Sequence, residues 1–531
     1  MPTATGTRRK RPPRWFLFLA GGIALIAIAT AIIGMRISPI VRQKAIAILQ
    51  ERYQSKVELK EVTVSLFPRV SVSGKGLVFY HRGRTDLPPM IKIESFLAHA
   101  RLKDLLNRPI HIREINLRGM ELHLPPKRSN PDKDQGSEQK PSTVPASAAP
   151  GSALLVIDEI HADGTALRIL PKDPGKEPLE FDISKLRLHS VGNDRPMEFE
   201  AVLTNPKPPG LIRSNGHFGP WQSGEPGSSD VDGHYTFTNA DLGVFSGIAG
   251  TLSSEGDYKG QLNNIDVTGT TDTPNFVVKT GDHPVDLKTK FHAVVDGTNG
   301  NTYLQPVEAS FLQSTLVCSG SVEGHPGTKG KFITLDIVMD RGRIEDLLRL
   351  AVKGKEPVMR GASILKTKFL LSPGDADVME RLQLDGTFEV KSGRFTGEGI
   401  QGKIAELSAR GRGKPKEAQE LAESGGVASD LRARFTYNST HARFASLSFA
   451  VPGSQVRLSG QYGMKSEKVD FTGTLRMQAK VSQTMTGWKS WVLKPADPFF
   501  AKHGAGSEIP ISIGGTREKP EFGLALFGKK K

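Results

Sequence analysis

The chain of 531 residues is too long for one ordinary hydrophobic core, so we expect several modules or one extended sheet. Its single cysteine, Cys318, excludes a disulfide framework and a metal site built from several cysteines. The net charge of +15 favours an anionic partner, either nucleic acid or lipid headgroups, unless it reflects only a diffuse basic surface.

An apolar segment near the N-terminus predicts a membrane anchor. Residues 15–35, WFLFLAGGIALIAIATAIIGM, carry no charge over 21 positions, which is long enough to cross a bilayer. Residues 1–14 form a basic tail that the positive-inside rule places in the cytoplasm. The alternative is a signal peptide cleaved at the small residues 29–31, but the apolar run continues past them. We expect an uncleaved transmembrane helix, with the rest of the chain outside the cytoplasm and no nucleic-acid partner.

A second helix is predicted directly after the anchor. Ser38 and Pro39 have the residue types preferred at the N-cap and at the first position of a helix. Apolar residues then recur at helical spacing as far as Tyr53. The apolar side of this helix could dock on the first strands or lie along the bilayer surface, and docking is the more ordinary arrangement.

From residue 57 onward, the apolar residues alternate with polar ones instead of following a helical period. Proline is excluded from central strands and is common in turns, so Pro68 predicts the corner of a β-hairpin. The alternating apolar residues are Val62, Val64 and Leu66 before this proline and Val70 and Val72 after it.

One sequence pattern recurs at an offset of 45 residues. Residues 112–124, IREINLRGMELHL, and residues 157–169, IDEIHADGTALRI, both follow I-x-E-I-x-x-x-G-x-x-L-x-[LI]. We interpret each copy as a short strand, a glycine-marked turn and a second strand, which makes the pair a repeated β unit. Residues 125–152 are rich in proline, serine and charge, and they predict a linker or a long loop.

The remainder of the chain, residues 153–528, consists of alternating segments separated by turn residues. Helical spacing occurs at residues 340–352 and 399–411. We therefore predict a mainly β fold of many short, mostly antiparallel strands, with a few amphipathic helices.

No stretch of the sequence specifies an active site. Gly397, Gly399 and Gly402 form G-x-G-x-x-G, but Ile404 stands where a P-loop needs Ser or Thr, and no clear βαβ unit surrounds them. Residues 296–301, DGTNGN, lack the spacing of a calcium loop and predict a hairpin turn. We expect no catalytic residues, no cofactor and no metal, although dispersed carboxylates leave a hydrolase as a remote third class.

Both ends of the chain resemble one protein family. The basic tail, the apolar segment and VELKEVTVSLFPRVSVSGKGLVFY at residues 57–80 resemble the N-terminal module of the AsmA-like proteins of diderm bacterial envelopes. GSEIPISIGGTREKPEFGL at residues 506–524 is similar to the C-terminal segment of that family. The resemblance delimits an N-terminal module at 36–124 and a periplasmic β-rich region at 153–528. Further similar segments are 91–124, 205–221, 237–256 and 295–311.

The resemblance implies a single-pass inner-membrane protein whose periplasmic sheet is elongated and curled into a trough, apolar inside and polar outside. It implies that the protein binds or conducts phospholipid between membranes and supports outer-membrane biogenesis, with outer-membrane or envelope proteins as further partners. The hairpin residues would line this groove nearest the bilayer: Val62, Val64, Leu66, Val70 and Val72.

Alternation alone favours a different outcome. The same apolar faces would pack as closed sandwich cores, and the protein would then be a non-enzymatic envelope scaffold or assembly factor that binds protein partners. The two hypotheses differ in whether a continuous apolar face stays open, because an unclosed patch of several hundred Å² requires a ligand or a partner.

Overall fold

The computed structural model of the chain is mainly β. Its described part contains 25 strands and six α-helices. The structure describes residues 14–53, 55–66, 70–81, 87–101, 110–125, 155–171, 178–191, 195–222, 225–325, 328, 330–424, 426–486, 494–501, 506–516 and 519–524. The expected hairpin corner at Pro68, the basic tail before residue 14 and almost all of the expected linker therefore lie outside the described residues.

The chain divides into two compact units, which are treated separately below. Unit 1 comprises residues 1–206, 212–235 and 259–263. Unit 2 comprises residues 207–211, 236–258 and 264–531. The strands that follow the linker as far as Pro206 thus belong to the same unit as the N-terminal module expected at 36–124.

The elements have the following bounds. The helices are α1 (Arg14–Tyr53), α2 (Ile344–Ala351), α3 (Val378–Arg381), α4 (Glu398–Gly411), α5 (Ala418–Glu423) and α6 (Asp497–Phe500). The strands are β1 (Val57–Ser65), β2 (Ser71–Phe79), β3 (Ile91–His99), β4 (Ile110–Leu124), β5 (Leu155–Ala162), β6 (Thr165–Ile169), β7 (Leu179–Val191), β8 (Met197–Pro206), β9 (Pro209–Phe218), β10 (Asp230–Asp241), β11 (Ile248–Ala249), β12 (Thr251–Gln261), β13 (Asn264–Val278), β14 (Val285–Asp296), β15 (Asn301–Phe311), β16 (Ser314–Gly324), β17 (Lys331–Arg343), β18 (Met359–Leu371), β19 (Leu382–Phe395), β20 (Ser429–Tyr437), β21 (His441–Val451), β22 (Ser454–Gly463), β23 (Val469–Met477), β24 (Ser507–Gly515) and β25 (Pro520–Leu524).

Helix α1 is one uninterrupted helix, so the prediction of a second helix beginning at Ser38 is wrong. Ser38 does not act as an N-cap, because its hydroxyl donates to the Gly34 carbonyl oxygen at 2.7 Å and accepts from the Val64 amide at 3.1 Å. Most of the expected transmembrane segment, residues 15–29, falls outside the residues whose side chains are described. Within the described part of the chain, no helix combines the length and apolarity needed to cross a membrane.

The C-terminal half of α1 docks on the first strand, as the sequence favoured. Arg42 Nε donates to the Leu59 carbonyl oxygen at 2.7 Å, and Ile46 and Leu49 pack against the buried cluster of unit 1. These contacts occupy the edge of β1 that faces away from β2. Since an unpaired strand edge invites association with other chains, the helix protects the sheet at its first strand.

Unit 1 contains a mixed sheet. Strands β1 to β4 pair in sequence as an antiparallel meander, which confirms the predicted hairpin of β1 and β2. Strand β4 then pairs in parallel with β5 along its first half and with β6 along its second half. Both β5 and β6 pair antiparallel with β7, which pairs with β8.

The two copies of the 45-residue sequence repeat pair with each other in parallel. The strand–turn–strand interpretation is wrong for the first copy and is confirmed for the second, in which a turn at residues 163–164 separates β5 from β6. Ile112 lies opposite Ile157, and Leu122 lies opposite Leu167, so both halves of the repeat pair with their own counterparts. The first copy lies within the single strand β4. The repeated glycine does not reverse the chain. At Gly119 the backbone has a positive φ of 61°, and strand β4 continues in the same direction past this local irregularity.

The strands of unit 1 share one irregularity at a common level. In β1, the buried residues are Val57 and Leu59 and then Val64, so the inward side changes from odd to even positions after Lys60. The same change occurs in the neighbouring strands, because each contains one extra residue at this level. A bulge of this kind bends and twists a strand. The inward residues on either side are Leu77 and Gly74 in β2, Ile93 and Phe96 in β3, and Met120 and Leu117 in β4.

Unit 2 is built on an antiparallel meander. From β13 to β25 each strand pairs antiparallel with the next. This holds also for β17 with β18 and for β19 with β20, although helices lie in the connections between them. The predicted helices within 340–352 and 399–411 are confirmed as α2 and α4. The predicted turn at 296–301 is also confirmed, since it joins β14 to β15.

Candidate functional site

The predicted groove residues of the first hairpin lie close together. Val64 and Val72 are directly opposed in the β1–β2 ladder, and Val62 lies on the same face opposite Gly74. Leu66 and Val70 are half-buried and flank the undescribed turn. The structure therefore unites Val62, Val64 and Val72 on one side of the sheet, as the alternation predicted.

This face of unit 1 is largely closed. Val64 keeps only 7% of its surface exposed, and Val62 packs against an extensive buried cluster. The cluster contains residues from β1 to β5 and from β7 and β8, so it forms an ordinary hydrophobic core. Its buried members are Val57, Leu59, Leu77, Phe79, Met90, Ile93, Met120, Ala162, Ile183, Leu186 and Ala201.

Unit 2 presents a different surface, which we call the apolar face. Directly opposed apolar side chains form continuous rows along one side of its meander, and most of them are only half-buried. One row contains Leu335, Phe369, Leu384, Tyr437, Ala442 and Tyr462. A second row, four residues further along β17, contains Met339, Leu365, Phe388, Ala433, Leu447 and Leu458. Between the two rows lie Ile337, Thr367, Gly386, Phe435, Phe444 and Gly460.

The apolar face is not the wall of a closed core. A buried cluster beside α4 contains Ala405, Val427 and Val451, and within the two apolar rows only Met339 and Ala433 are buried. The large side chains in the middle of the strands keep part of their surface accessible, including Phe369 and Phe388. Apolar groups that stay accessible over many adjacent strands are a surface prepared for a ligand or a partner.

Helices bound the apolar face at both ends of the strands. At one end, the Tyr437 hydroxyl donates to the Met379 carbonyl oxygen of α3 at 3.0 Å. At the other end, Ser408 of α4 donates to the Pro452 carbonyl oxygen at 2.8 Å, and the α4 cluster packs against Phe449. The open part of the face is therefore confined to the middle of the strands.

Glycines bring neighbouring strands unusually close on this face. A Cβ added to Gly473 would overlap the Arg457 carbonyl oxygen, and one added to Gly320 would overlap the Thr334 carbonyl oxygen. Glycine inside a strand is characteristic of a tight bend or a close backbone approach.

The opposite side of the same strands is polar and exposed. Cross-strand ion pairs cover it: Arg434 lies 3.5 Å from Asp385, and Arg476 Nε donates to Glu508 at 2.7 Å. Exposed pairs of this kind contribute little stability, about 0–1 kcal/mol each. Their consequence is solubility, because each strand of unit 2 keeps one side suited to water.

Cys318 belongs to the apolar face rather than to a reactive site. It lies between Val307 and Ile337 in the ladders, and burial raises the pKa of its thiol. The thiolate is the reactive form of cysteine, so a raised pKa makes this side chain a weak nucleophile at neutral pH.

The glycine-rich motif and the acidic turn of the sequence adopt structures without a ligand site. Gly397 precedes α4, but the preceding strand β19 pairs antiparallel with both of its neighbours, so no βαβ unit is formed. Both carboxylate oxygens of Asp296 accept hydrogen bonds within its own turn, from Thr298 and from Asn299. In the described ranges, no group of three or more histidine, cysteine or acidic side chains is arranged to hold a metal ion.

A polar pocket of about 500 Å³ lies beside α4 and α5. Arg410 and Glu406 line it and pair with each other at 2.5 Å, so their charges compensate. Lys416, Gln419 and Thr484 complete its polar lining. Its chemistry therefore differs from that of the apolar face, which remains the candidate site.

In comparisons with known proteins, no family model, no curated protein and no solved structure matches the chain. The resemblance to the AsmA-like family stays a prediction.

Proposed function

We propose that the protein is an inner-membrane-anchored, periplasmic lipid-binding protein whose apolar face holds phospholipid acyl chains and conducts them between membranes, in support of outer-membrane biogenesis. The observation that carries this proposal is the pair of half-buried apolar rows across β17–β22 in unit 2. In this proposal, the meander forms an elongated, curled trough with its polar side toward water.

The dimensions of unit 2 suit acyl chains. Thirteen strands at about 4.8 Å spacing give the meander a contour of about 58 Å. A single acyl chain occupies about 15 Å, half of a hydrocarbon core, so several chains fit along the rows. Each methylene group removed from water contributes about 0.8 kcal/mol, so binding of acyl chains to this apolar surface is favourable.

The predicted hairpin residues Val62, Val64, Leu66, Val70 and Val72 have a narrower role in this proposal. They belong to a unit with a closed core, so they form the membrane-proximal end of the path rather than its main lining. Anchorage rests on residues 15–35 and the basic tail before them.

An envelope scaffold that binds protein partners is the second candidate, and the last strand favours it. Strand β25 pairs with β24, and its residues Phe522 and Leu524 keep 75% and 57% of their surface exposed. A short apolar edge strand can accept an added strand from a partner. In this alternative, the apolar face would be covered by protein instead of lipid.

Site-specific photocrosslinking in living diderm bacteria tests the two candidates. A benzophenone amino acid at position 388 faces the apolar rows, whereas one at the adjacent position 387 faces water. We expect phospholipid adducts, detected by mass spectrometry, from position 388 and not from position 387. Protein adducts alone at position 388 would favour the scaffold, and no lipid adduct at that position would refute lipid binding there.

A matched pair of substitutions tests function without the crosslinker. Phe388→Asp puts a charge among the apolar rows beside Leu365 and Ala433, and it should abolish lipid copurification and lipid-dependent growth. Thr387→Asp is the control, because its new carboxylate lies between Lys366 and Arg434 on the polar side. Equal lipid content in both folded variants would contradict the proposal.

A further inference from the structure

We propose that Leu66, directly after β1, and the exposed residues Ile32, Ile33 and Met35 of helix α1 form a membrane-contact surface that enters the outer-leaflet interface. The partner is the lipid bilayer that holds the anchor, so this inference rests on the proposed anchorage. It adds a second contact between the protein and the membrane, at the residues next to Val64 of β1.

Ser38 and Gly34 of α1 hold the end of β1 in place, and we call their contacts with Val64 the lock. The hydroxyl of Ser38 bonds both the Gly34 carbonyl oxygen, at 2.7 Å, and the Val64 amide, at 3.1 Å. Gly34 is buried, and a Cβ at this position would overlap the Val64 carbonyl oxygen. The end of β1 is therefore fixed against one turn of the helix, and the glycine permits that close approach.

Three contacts give the direction of β1 relative to α1. Gly34 contacts Val64, Arg42 contacts Leu59 and Gln50 contacts Val57, so β1 runs antiparallel to α1. The strand thus heads back toward the N-terminal, apolar half of the helix. Its end points toward the predicted bilayer and not away from it.

The depth of Leu66 relative to α1 follows from the rise per residue of the strand and of the helix. Leu66 follows Val64 by two residues, about 7 Å further along the strand direction. At a helix rise of 1.5 Å per residue, that position is level with α1 four to five residues before Gly34. The uncharged segment ends at Met35. Leu66 would therefore lie about 7–8 Å inside the end of the apolar segment, a depth typical of interfacial contact.

Three apolar side chains of α1 next to Gly34 are exposed. Ile32, Ile33 and Met35 surround the buried Gly34 in sequence and keep 50%, 47% and 69% of their surfaces exposed. An apolar medium that surrounds Leu66 would also cover these side chains. Arg36 follows directly and is exposed, which suits the anionic headgroup layer.

A fluorescence-depth experiment on the full chain tests this surface. In a Cys318→Ala background, an environment-sensitive fluorophore is attached at Leu66→Cys or at Lys56→Cys. The control position Lys56 is exposed and lies at the other end of β1, about 30 Å away. The proteins are reconstituted in vesicles of phosphatidylethanolamine and phosphatidylglycerol that contain lipids brominated near the headgroup.

We expect quenching by brominated lipid to be at least threefold stronger at position 66 than at position 56. Breaking the lock with Ser38→Ala or Gly34→Val should reduce quenching at position 66 while the anchor resists carbonate extraction. Equal quenching at the two wild-type positions would overturn the contact surface, as would an unchanged signal in both lock variants.

The outcomes separate this inference from the proposed function. Release of the wild-type chain by carbonate would overturn both the anchorage and the contact surface. Strong anchorage without quenching at position 66 would overturn the contact surface alone, and a protein partner covering Ile32 and Met35 would then become the explanation. Lipid adducts at position 388 depend on neither result.

Discussion

Asp346 connects helix α2 to the turn between β15 and β16, and its removal should loosen the attachment of this helix. Its side chain is 5% exposed, and a single oxygen, Oδ2, accepts both of its hydrogen bonds. The donors are the Gln313 amide at 3.0 Å and the Ser314 hydroxyl at 2.7 Å. Ser314 in turn accepts from the Arg343 amide at 2.9 Å, immediately before α2.

The geometry sets the expected magnitudes. A hydrogen bond to a charged group contributes about 1.5–3 kcal/mol, so losing both bonds in Asp346→Ala should cost about 3 kcal/mol or more. Asp346→Asn is the matched control, because one amide oxygen in the place of Oδ2 can accept both bonds and only the charge is lost. We expect that substitution to cost about 1 kcal/mol.

Hydrogen–deuterium exchange followed by mass spectrometry measures the loss of stability around Asp346 peptide by peptide. The measurement therefore does not require the whole chain to unfold as a two-state system. A loss of about 3 kcal/mol corresponds to exchange that is faster by roughly 150-fold. We expect that acceleration for peptides covering 313–316 and 344–351 in Asp346→Ala, a much smaller one in Asp346→Asn, and no change in β20. Wild-type protection in Asp346→Ala, or equal effects of both substitutions, would refute the reasoning.

Two further predictions concern the apolar face. Gly473→Ala should lower the thermal unfolding temperature by several degrees, because the added Cβ meets the Arg457 carbonyl oxygen and overpacking costs about 1–3 kcal/mol. Gly514→Ala is the control, because a Cβ there meets nothing within 4 Å. Equal unfolding temperatures of the two variants would contradict the close approach at Gly473. Burial raises the pKa of the Cys318 thiol, so a maleimide should label it slowly at pH 7 and faster as pH rises. Removing bound lipid should accelerate this labelling, and identical rates before and after delipidation would argue against lipid cover at Cys318.

Local sequence patterns predicted the elements whose structure depends on near neighbours. The alternation of Val62 and Val64 with polar residues predicted the first strand, and residues 296–301 predicted a turn whose carboxylate bonds its own backbone and side chains. The helical spacing around Ile344 predicted α2. Each of these elements depends on contacts within a few residues or on the spacing of apolar residues along one element. Both can be read directly from the sequence.

Tertiary contacts decided the features that the sequence misrepresented. Ser38 has the residue type of an N-cap, but its hydroxyl is committed to Gly34 and to Val64 of a distant strand, so the helix continues through Pro39. The two repeat copies pair in parallel across the linker, and their shared glycine fits a bulge as well as it fits a turn. Neither choice is visible in local residue preferences.

The difference between the two units is also a tertiary outcome. Alternation is the same for Val64, which is buried in unit 1, and for Phe388, which stays half-exposed in unit 2. The sequence by itself determined a mainly β protein with one apolar side to each strand and an uncharged N-terminal segment. Only the folded chain decided which apolar side closes into a core and which stays open, because closure depends on what lies opposite a strand and not on the strand itself.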